Sequence, residues 1–213
     1  MGRTKEFYNG AYSDGLYWGR EASDLVVRLG ELLPLRSAVI DLGCGHGRNT
    51  IYLARRGLDV TAVDKSENAI KALRNTPDYE GLKIKTFVTD VANPALAKDV
   101  KYDGVICMYV FQDLSPNEIQ KTLQFMKNRT SSRGYVAIAF SQRTERPQGT
   151  SEDVPYGDGF ITKAFEGWDI PEQDTSRSFG VWGEWEEHGL PGSRYHVPRH
   201  RHFRVTLLAQ KPA

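Results

Sequence analysis

Cysteine is almost missing: Cys44 and Cys107 are the only two in 213 residues. Both stand in apolar, strand-like surroundings, which argues against a disulfide-stapled scaffold and for two reduced thiols. An excess of one charge is missing as well. Lys and Arg number 28 against 27 Asp and Glu, a formal net charge of +1, so the strong basic excess of a nucleic-acid binder is not there. No apolar run reaches the length of a membrane span. The opening MGRTKEFYNG has no apolar signal core, and Glu6 stands where a myristoylation pattern needs Ser or Thr. What remains is a cytoplasmic globular chain, 1–213 in one domain with a sizeable core.

What is present is an alternation. AVIDL reads as a buried strand ended by glycine, followed by a helix over NTIYLARRGL with Ile51, Tyr52 and Ala54 toward the sheet and Gly57 closing it. DVTAVD is a second strand, and Ser66 caps a helix carrying Ile70 and Leu73 inward. KIKTFVTD, YDGVICMYV and GYVAIAFS are further strands. Ser115-Pro116-Asn117-Glu118 forms a capping box that opens a helix with Ile119, Leu123 and Met126 on one face. Upstream, Ser23 or Asp24 caps a helix with Leu25, Leu29 and Leu32 on one face. Downstream, FITKAFEGW suits a short helix, and RSFGVWGEW with RHFRVTLLAQK suits an antiparallel hairpin. Strand–helix alternation of this kind predicts an α/β fold: a single doubly wound, Rossmann-like sheet of seven strands with helices on both faces. Segment 1–34 then forms a lid and first helix, 38–141 the ligand-binding core, and 142–213 the acceptor-side loop and C-terminal hairpin.

The chemistry concentrates in Asp41-Leu42-Gly43-Cys44-Gly45-His46-Gly47. A dinucleotide fingerprint needs a third glycine at 48, where Arg48 stands, and a phosphate loop needs a Gly-Lys pair that is absent. An acid followed by three alternate glycines remains. DLGCGHG resembles motif I of the class I methyltransferases, which bind S-adenosyl-L-methionine. The residue chemistry agrees: a carboxylate at 41 suits the cofactor's ammonium group and repels a pyrophosphate. Gly43 and Gly45 let backbone approach the ligand, and the helix N-terminus beyond favours a carboxylate. Asp64, ending the second strand, suits the ribose hydroxyls, as it would in an NAD enzyme. The resemblance implies that Asp90 and the Val91 amide meet the adenine and that Met108 and Tyr109 line the methionyl part. It spans about residues 39–141. The candidate cofactor set is Trp18, Asp41, Gly43, Cys44, Gly45, Asn49, Asp64, Lys65, Asp90, Val91 and Met108.

Arg48-Asn49 after the glycines, the phrase GLDVTAVD, the early Tyr17-Trp18-Gly19 and the tail RHRHF…LLAQKP are similar to the tellurite-resistance methyltransferases and, more loosely, the thiopurine methyltransferases. That resemblance implies a small acceptor, a thiol or a tellurite- or selenite-type oxyanion, with S-adenosyl-L-homocysteine as product. Acceptor-side candidates are Tyr17 and Trp18 as a lid, Phe111 and Gln112 after the fourth strand, and the His/Arg-rich tail. His200, Arg201 and His202 are the candidate catalytic residues: His200 and His202 share a strand face, and the arginines suit an oxyanion. The four histidines between 188 and 202 match no zinc spacing, so no metal is expected. Expected partners are the small-molecule acceptor alone, with no nucleic acid and no membrane, in a monomer or homodimer. An NAD-dependent oxidoreductase and a non-catalytic methyltransferase-like binding module are the alternatives.

Overall fold

The computed structural model describes residues 4–15, 19–77, 79–94, 96, 99–143, 158–170 and 202–213, with backbone alone at 142, 143, 158, 159 and 202–204. Within them lie β1 (Ala38–Leu42), β2 (Asp59–Asp64), β3 (Ile84–Val88), β4 (Tyr102–Met108), β5 (Thr130–Arg143) and β6 (His202–Gln210). They form one sheet in the order β3-β2-β1-β4-β5-β6. The first five strands run parallel, and β6 lies antiparallel on β5, from Tyr135 opposite Gln210 to Arg143 opposite His202.

Among the described residues six α-helices accompany the strands: α1 (Lys5–Ser13), α2 (Asp24–Leu32), α3 (Arg48–Arg55), α4 (Glu67–Arg74), α5 (Pro116–Arg129) and α6 (Asp158–Ala164). Alternate strand residues feed two different cores. Ile40, Leu42, Val105, Cys107, Val136 and Ile138 pack with Ile119, Leu123 and Met126 of α5 and with Ile161 of α6. Val39, Val60, Ile106 and Ala137 pack with Leu25, Val26 and Leu29 of α2 and Leu53 and Ala54 of α3. The period-two alternation of a strand produces this split. Continuous apolar runs such as AVIDL follow, because both sides of each central strand are buried.

The capping box forms as expected: Ser115 accepts from the Glu118 amide, and the Glu118 carboxylate accepts from the Ser115 amide, with Pro116 in the first turn. The described residues hold six strands, with β6 paired to β5, and Arg177–Trp185, read as one arm of a hairpin, lies outside them. Two expectations need correction. On α3, Leu53 and Ala54 are buried and Ile51 and Tyr52 only half-buried. The inward stripe runs through Thr50, Leu53 and Ala54, the i, i+3, i+4 spacing of one helical face. On α2, Leu32 is 41% exposed, while Leu33, just past the helix in extended backbone, turns inward.

The strand order fixes the place for a ligand. From β1 the chain goes to β2 on one side, while β4 flanks β1 on the other. The loops leaving β1 and β4 therefore diverge, opening a crevice at their carboxyl ends, the usual ligand position in open α/β sheets.

Candidate functional site

The loop from Gly43 to Gly47 sits at that crevice. The Gly43 and Cys44 amides donate to the Val63 carbonyl at 2.8 and 3.0 Å, fastening the loop to β2. All three glycines have left-handed backbone, with φ of +75°, +56° and +91°. Protein atoms, in addition, crowd the side where a Cβ would project: Val110 at Gly43, the Tyr12 hydroxyl at Gly45 and Leu73 at Gly47. The sequence expectation gave the first two glycines a role in ligand approach; the protein neighbours are a further reason. The loop needs glycine for its backbone sign and for its protein neighbours.

Two buried carboxylates stand beneath and beside the loop. Asp41 is 1% exposed; its Oδ2 accepts from the Thr50 hydroxyl at 2.6 Å, and its Oδ1 is buried with no hydrogen-bond partner. Burial pushes its pKa up to about 7; the Thr50 bond opposes that and the nearby Asp64 adds to it. Asp64 accepts from the Gly45 amide at 2.9 Å and the Ser66 amide at 2.8 Å. Burial raises its pKa even against those two bonds. Burial also pushes the Cys44 thiol well up, so the loop cysteine is a small buried hydrophobe.

The other candidates divide. Lys65 places its ammonium 5.2 Å from the Tyr8 ring centroid. Asp90 lies exposed beyond β3, its carboxylate accepting from the Ala92 amide at 2.8 Å, and Val91 behind it is buried. Met108 ends β4, buried, and Tyr109 follows with φ of +58°. Asn49 accepts from the amide and hydroxyl of Ser23, 3.0 and 3.2 Å away. His46 reaches the Gly19 carbonyl at 3.0 Å and Arg48 donates to the Glu21 carbonyl at 3.3 Å. The residues around the last glycine thus grip the segment leading into α2. Gln112 accepts from the Ser141 amide at 3.2 Å. Tyr17, Trp18, His200 and Arg201 lie outside the described residues, and of His202 only the backbone, in β6, is described. Among the described residues no cluster of His, Cys, Asp and Glu is built to hold a metal.

Helix α1 was not expected from the sequence, yet it forms one wall. Thr4 caps it by accepting from the Phe7 amide. Asn9 accepts from the Ser66 hydroxyl at 2.7 Å, and its carbonyl accepts from Asn68 at 3.0 Å, fixing α1 to α4. Tyr8 donates to Asp113, in the short turn after β4, and Tyr12 lies buried over Gly45. The helix therefore crosses the crevice from the α4 side to the β4 side. Its signal was weak because Asn9 and Gly10 interrupt the Tyr8, Ala11, Tyr12 spacing with poor helix formers.

With this geometry, a family model described as Tellurite resistance protein TehB matches residues 4–176. The chain belongs to the TehB family. A relative bearing the family's name is described as an S-adenosyl-L-methionine-dependent methyltransferase, and S-adenosyl-L-methionine is the cofactor of such relatives. The chain is 37% identical over 107 residues to "Probable S-adenosyl-L-methionine-dependent methyltransferase TehB" of Haemophilus influenzae, covering 50% of this chain and 37% of that protein. It is 38% identical over 105 residues to "Magnesium-protoporphyrin O-methyltransferase" of Rhodobacter capsulatus, covering 48% of this chain and 43% of that one. It thus spans under half the length of both. The crystal structure of TehB from H. influenzae superposes with a TM-score of 0.69 at 25% identity, covering 95% of this chain and 67% of that one. In the TehB-family chain described here, the orphaned Asp41 oxygen fits a cationic ligand group: it is a buried acceptor within a loop that admits no phosphate lysine.

The state of Asp41 gives a pH test of whether it meets an ammonium ligand. Its folded pKa of about 7 lies above the 3.8 of an ordinary aspartate. Between those values the folded protein holds a proton that the unfolded chain releases, so this group's destabilising effect is full above pH 7 and relieved as pH falls toward 4. An ammonium ligand takes the ionised form, so affinity should fall below pH 7, approaching tenfold per pH unit. Calorimetric titration of S-adenosylhomocysteine between pH 5.5 and about 8 checks this. The isosteric Asp41→Asn should bind weakly with a flat profile. A wild-type profile equally flat would show that Asp41 does not meet the ammonium.

Proposed function

We propose that the chain transfers a methyl group from S-adenosylmethionine to a small-molecule acceptor, a thiol or a tellurite- or selenite-type oxyanion. The observation that carries the reading is the pair of buried carboxylates at the glycine loop, one with an unpartnered oxygen. The Asp41 anion, with its unpartnered oxygen, repels a pyrophosphate and attracts an ammonium, which favours this cofactor over NAD; Asp64 serves the ribose of either.

When bound, the cofactor supplies a methyl group activated on a sulfonium. The chain's own residues bind and orient. Asp41 Oδ1 accepts from the ammonium. Asp64, held by the Gly45 and Ser66 amides, keeps unused lone pairs for ribose hydroxyls, since a carboxylate offers about four acceptor sites. Asp90 and the Val91 amide, at the end of β3, receive the adenine, and Met108 faces the methionyl chain. Positioning of this kind is the main contribution an enzyme makes to such a displacement. On the acceptor side the tail, with His200, Arg201 and His202, supplies cations for an oxyanion. The reading includes a monomer or homodimer in the cytoplasm with no nucleic-acid partner. No helix among the described residues is long and apolar enough to cross a membrane.

Parallel calorimetric titrations of S-adenosylhomocysteine and NAD test the proposal. Binding of the first at about micromolar Kd, with no heat from NAD, is expected. Transfer of labelled methyl to selenite, tellurite or a thiol should then follow. NAD binding, or silence from both, would overturn the reading. Binding without transfer to any acceptor would favour the non-catalytic module.

A further inference from the structure

We propose that Tyr8 and Asp113 form the proton-accepting pair on the acceptor side of the crevice. The inference rests on the methyl-transfer reading above. Asp113 stands in the turn immediately beyond β4, at the carboxyl end of the sheet, and takes the Tyr8 hydroxyl proton in a hydrogen bond. The Tyr8 ring stacks on Tyr12, centroids 6.5 Å apart and planes at 27°, and the Tyr12 hydroxyl lies against Gly45. One aromatic ring therefore separates the pair from the cofactor loop.

Clamping α1 does not by itself call for a charged group there. Asn9, Ser66 and Asn68 fix the helix to α4, and Lys5 pairs with Glu67 at 2.8 Å. The Lys65 ammonium over the Tyr8 ring favours negative charge developing on the phenol oxygen. Both partners are half-buried, open enough to meet a small molecule.

The step balances as follows. The acceptor's lone pair forms the bond to the methyl carbon, and the carbon–sulfur bond breaks with its electrons returning to sulfur. The acceptor's proton passes to the Tyr8 oxygen as the Tyr8 proton passes to Asp113, which later loses it to water. An acceptor carrying an ionisable proton needs this pair, whereas one already ionised does not.

The test uses the full chain and two thiols that differ in that respect, 2-mercaptoethanol and the more acidic 4-nitrothiophenol, with Asp113→Asn and Tyr8→Phe. At neutral pH, kcat for 2-mercaptoethanol should fall about a hundredfold in both variants, the size of a general-base contribution, with KM within about twofold. Transfer to 4-nitrothiophenol should change less than about twofold, and S-adenosylhomocysteine affinity likewise. Equal losses on both thiols, no loss on either, or weakened S-adenosylhomocysteine binding in the variants would reduce the pair to a clamp on α1 and overturn the proposal. So would a wild type that binds S-adenosylhomocysteine and methylates neither thiol. A wild type that fails to bind S-adenosylhomocysteine sinks the methyl-transfer reading instead.

Discussion

Asp64→Ala is expected to abolish tight cofactor binding and lower the thermal midpoint together. The carboxylate has two roles: in the proposed reading it meets the cofactor ribose, and it accepts from the Gly45 and Ser66 amides. Truncation leaves both amides unpaired in a buried site, at about 1–3 kcal/mol each. The raised pKa of Asp64 shows that its burial as an anion is itself unfavourable, so the net loss should sit near the lower end, about 3 kcal/mol for the pair. In a domain of this size that is about 6–12 °C by scanning calorimetry. S-adenosylhomocysteine should lose about 2–3 kcal/mol of affinity from the missing charge-assisted bonds. Asp64→Asn keeps one carbonyl acceptor, so it should lose binding with a smaller drop in midpoint. A wild-type midpoint for the alanine variant would show that the carboxylate does not hold the loop.

Gly45→Val should do comparable damage by another route. Its φ of +56° costs a residue with a Cβ about 1–2 kcal/mol, and β-branching adds to the cost. The new side chain also meets the Tyr12 hydroxyl directly. Affinity for S-adenosylhomocysteine should fall at least about a hundredfold, the result of a displaced loop amide at Asp64 and a lifted α1. Limited proteolysis should cut α1 faster. Tyr12→Ala in the same chain should return part of the binding, because it removes the clash and leaves only the backbone cost; non-additivity in that double-mutant cycle is the signature. Gly81→Ala is the control. Gly81 lies outside the left-handed region with nothing near its missing Cβ, so stability should change little. A Gly45→Val protein that binds normally would mean that the loop does not form the ligand's seat.

The parallel sheet was legible because β1 and β2 are short, largely apolar runs bounded by Gly or Asp and alternate with helical spacing, and the capping box at Ser115 fixed the start of α5 without ambiguity. That the acids at 41 and 64 would be buried beside the glycine loop was legible from their positions at or near strand ends. Their hydrogen bonds were not: that Asp64 holds the Gly45 amide depends on loop curvature, which sequence spacing does not encode. The bond between Asn49 and Ser23 was not legible either, since a short polar side chain at a helix start bonds whatever backbone lies nearest. The wall made by α1 was hidden for the reason given by Asn9 and Gly10: tertiary bonds to Ser66 and Asn68, not propensity, hold that helix. The tail residues His200, Arg201 and His202 keep their standing as a proposal, because their side chains fall outside the described residues.

The long antiparallel pairing of β5 with β6 has a consequence for the order in which the protein is made. Strand β5 is complete at Arg143, but the strand that covers its outer edge does not begin until His202. While the ribosome synthesises the intervening chain, β5 carries an open row of backbone donors and acceptors beside buried-type residues such as Val136, Ile138 and Phe140. Such an edge is a template for pairing with another nascent chain. Premature termination anywhere between those two points should therefore yield aggregates rather than a smaller soluble domain. Chaperone demand during synthesis should fall once Val205, Leu207 and Leu208 have emerged to close the sheet.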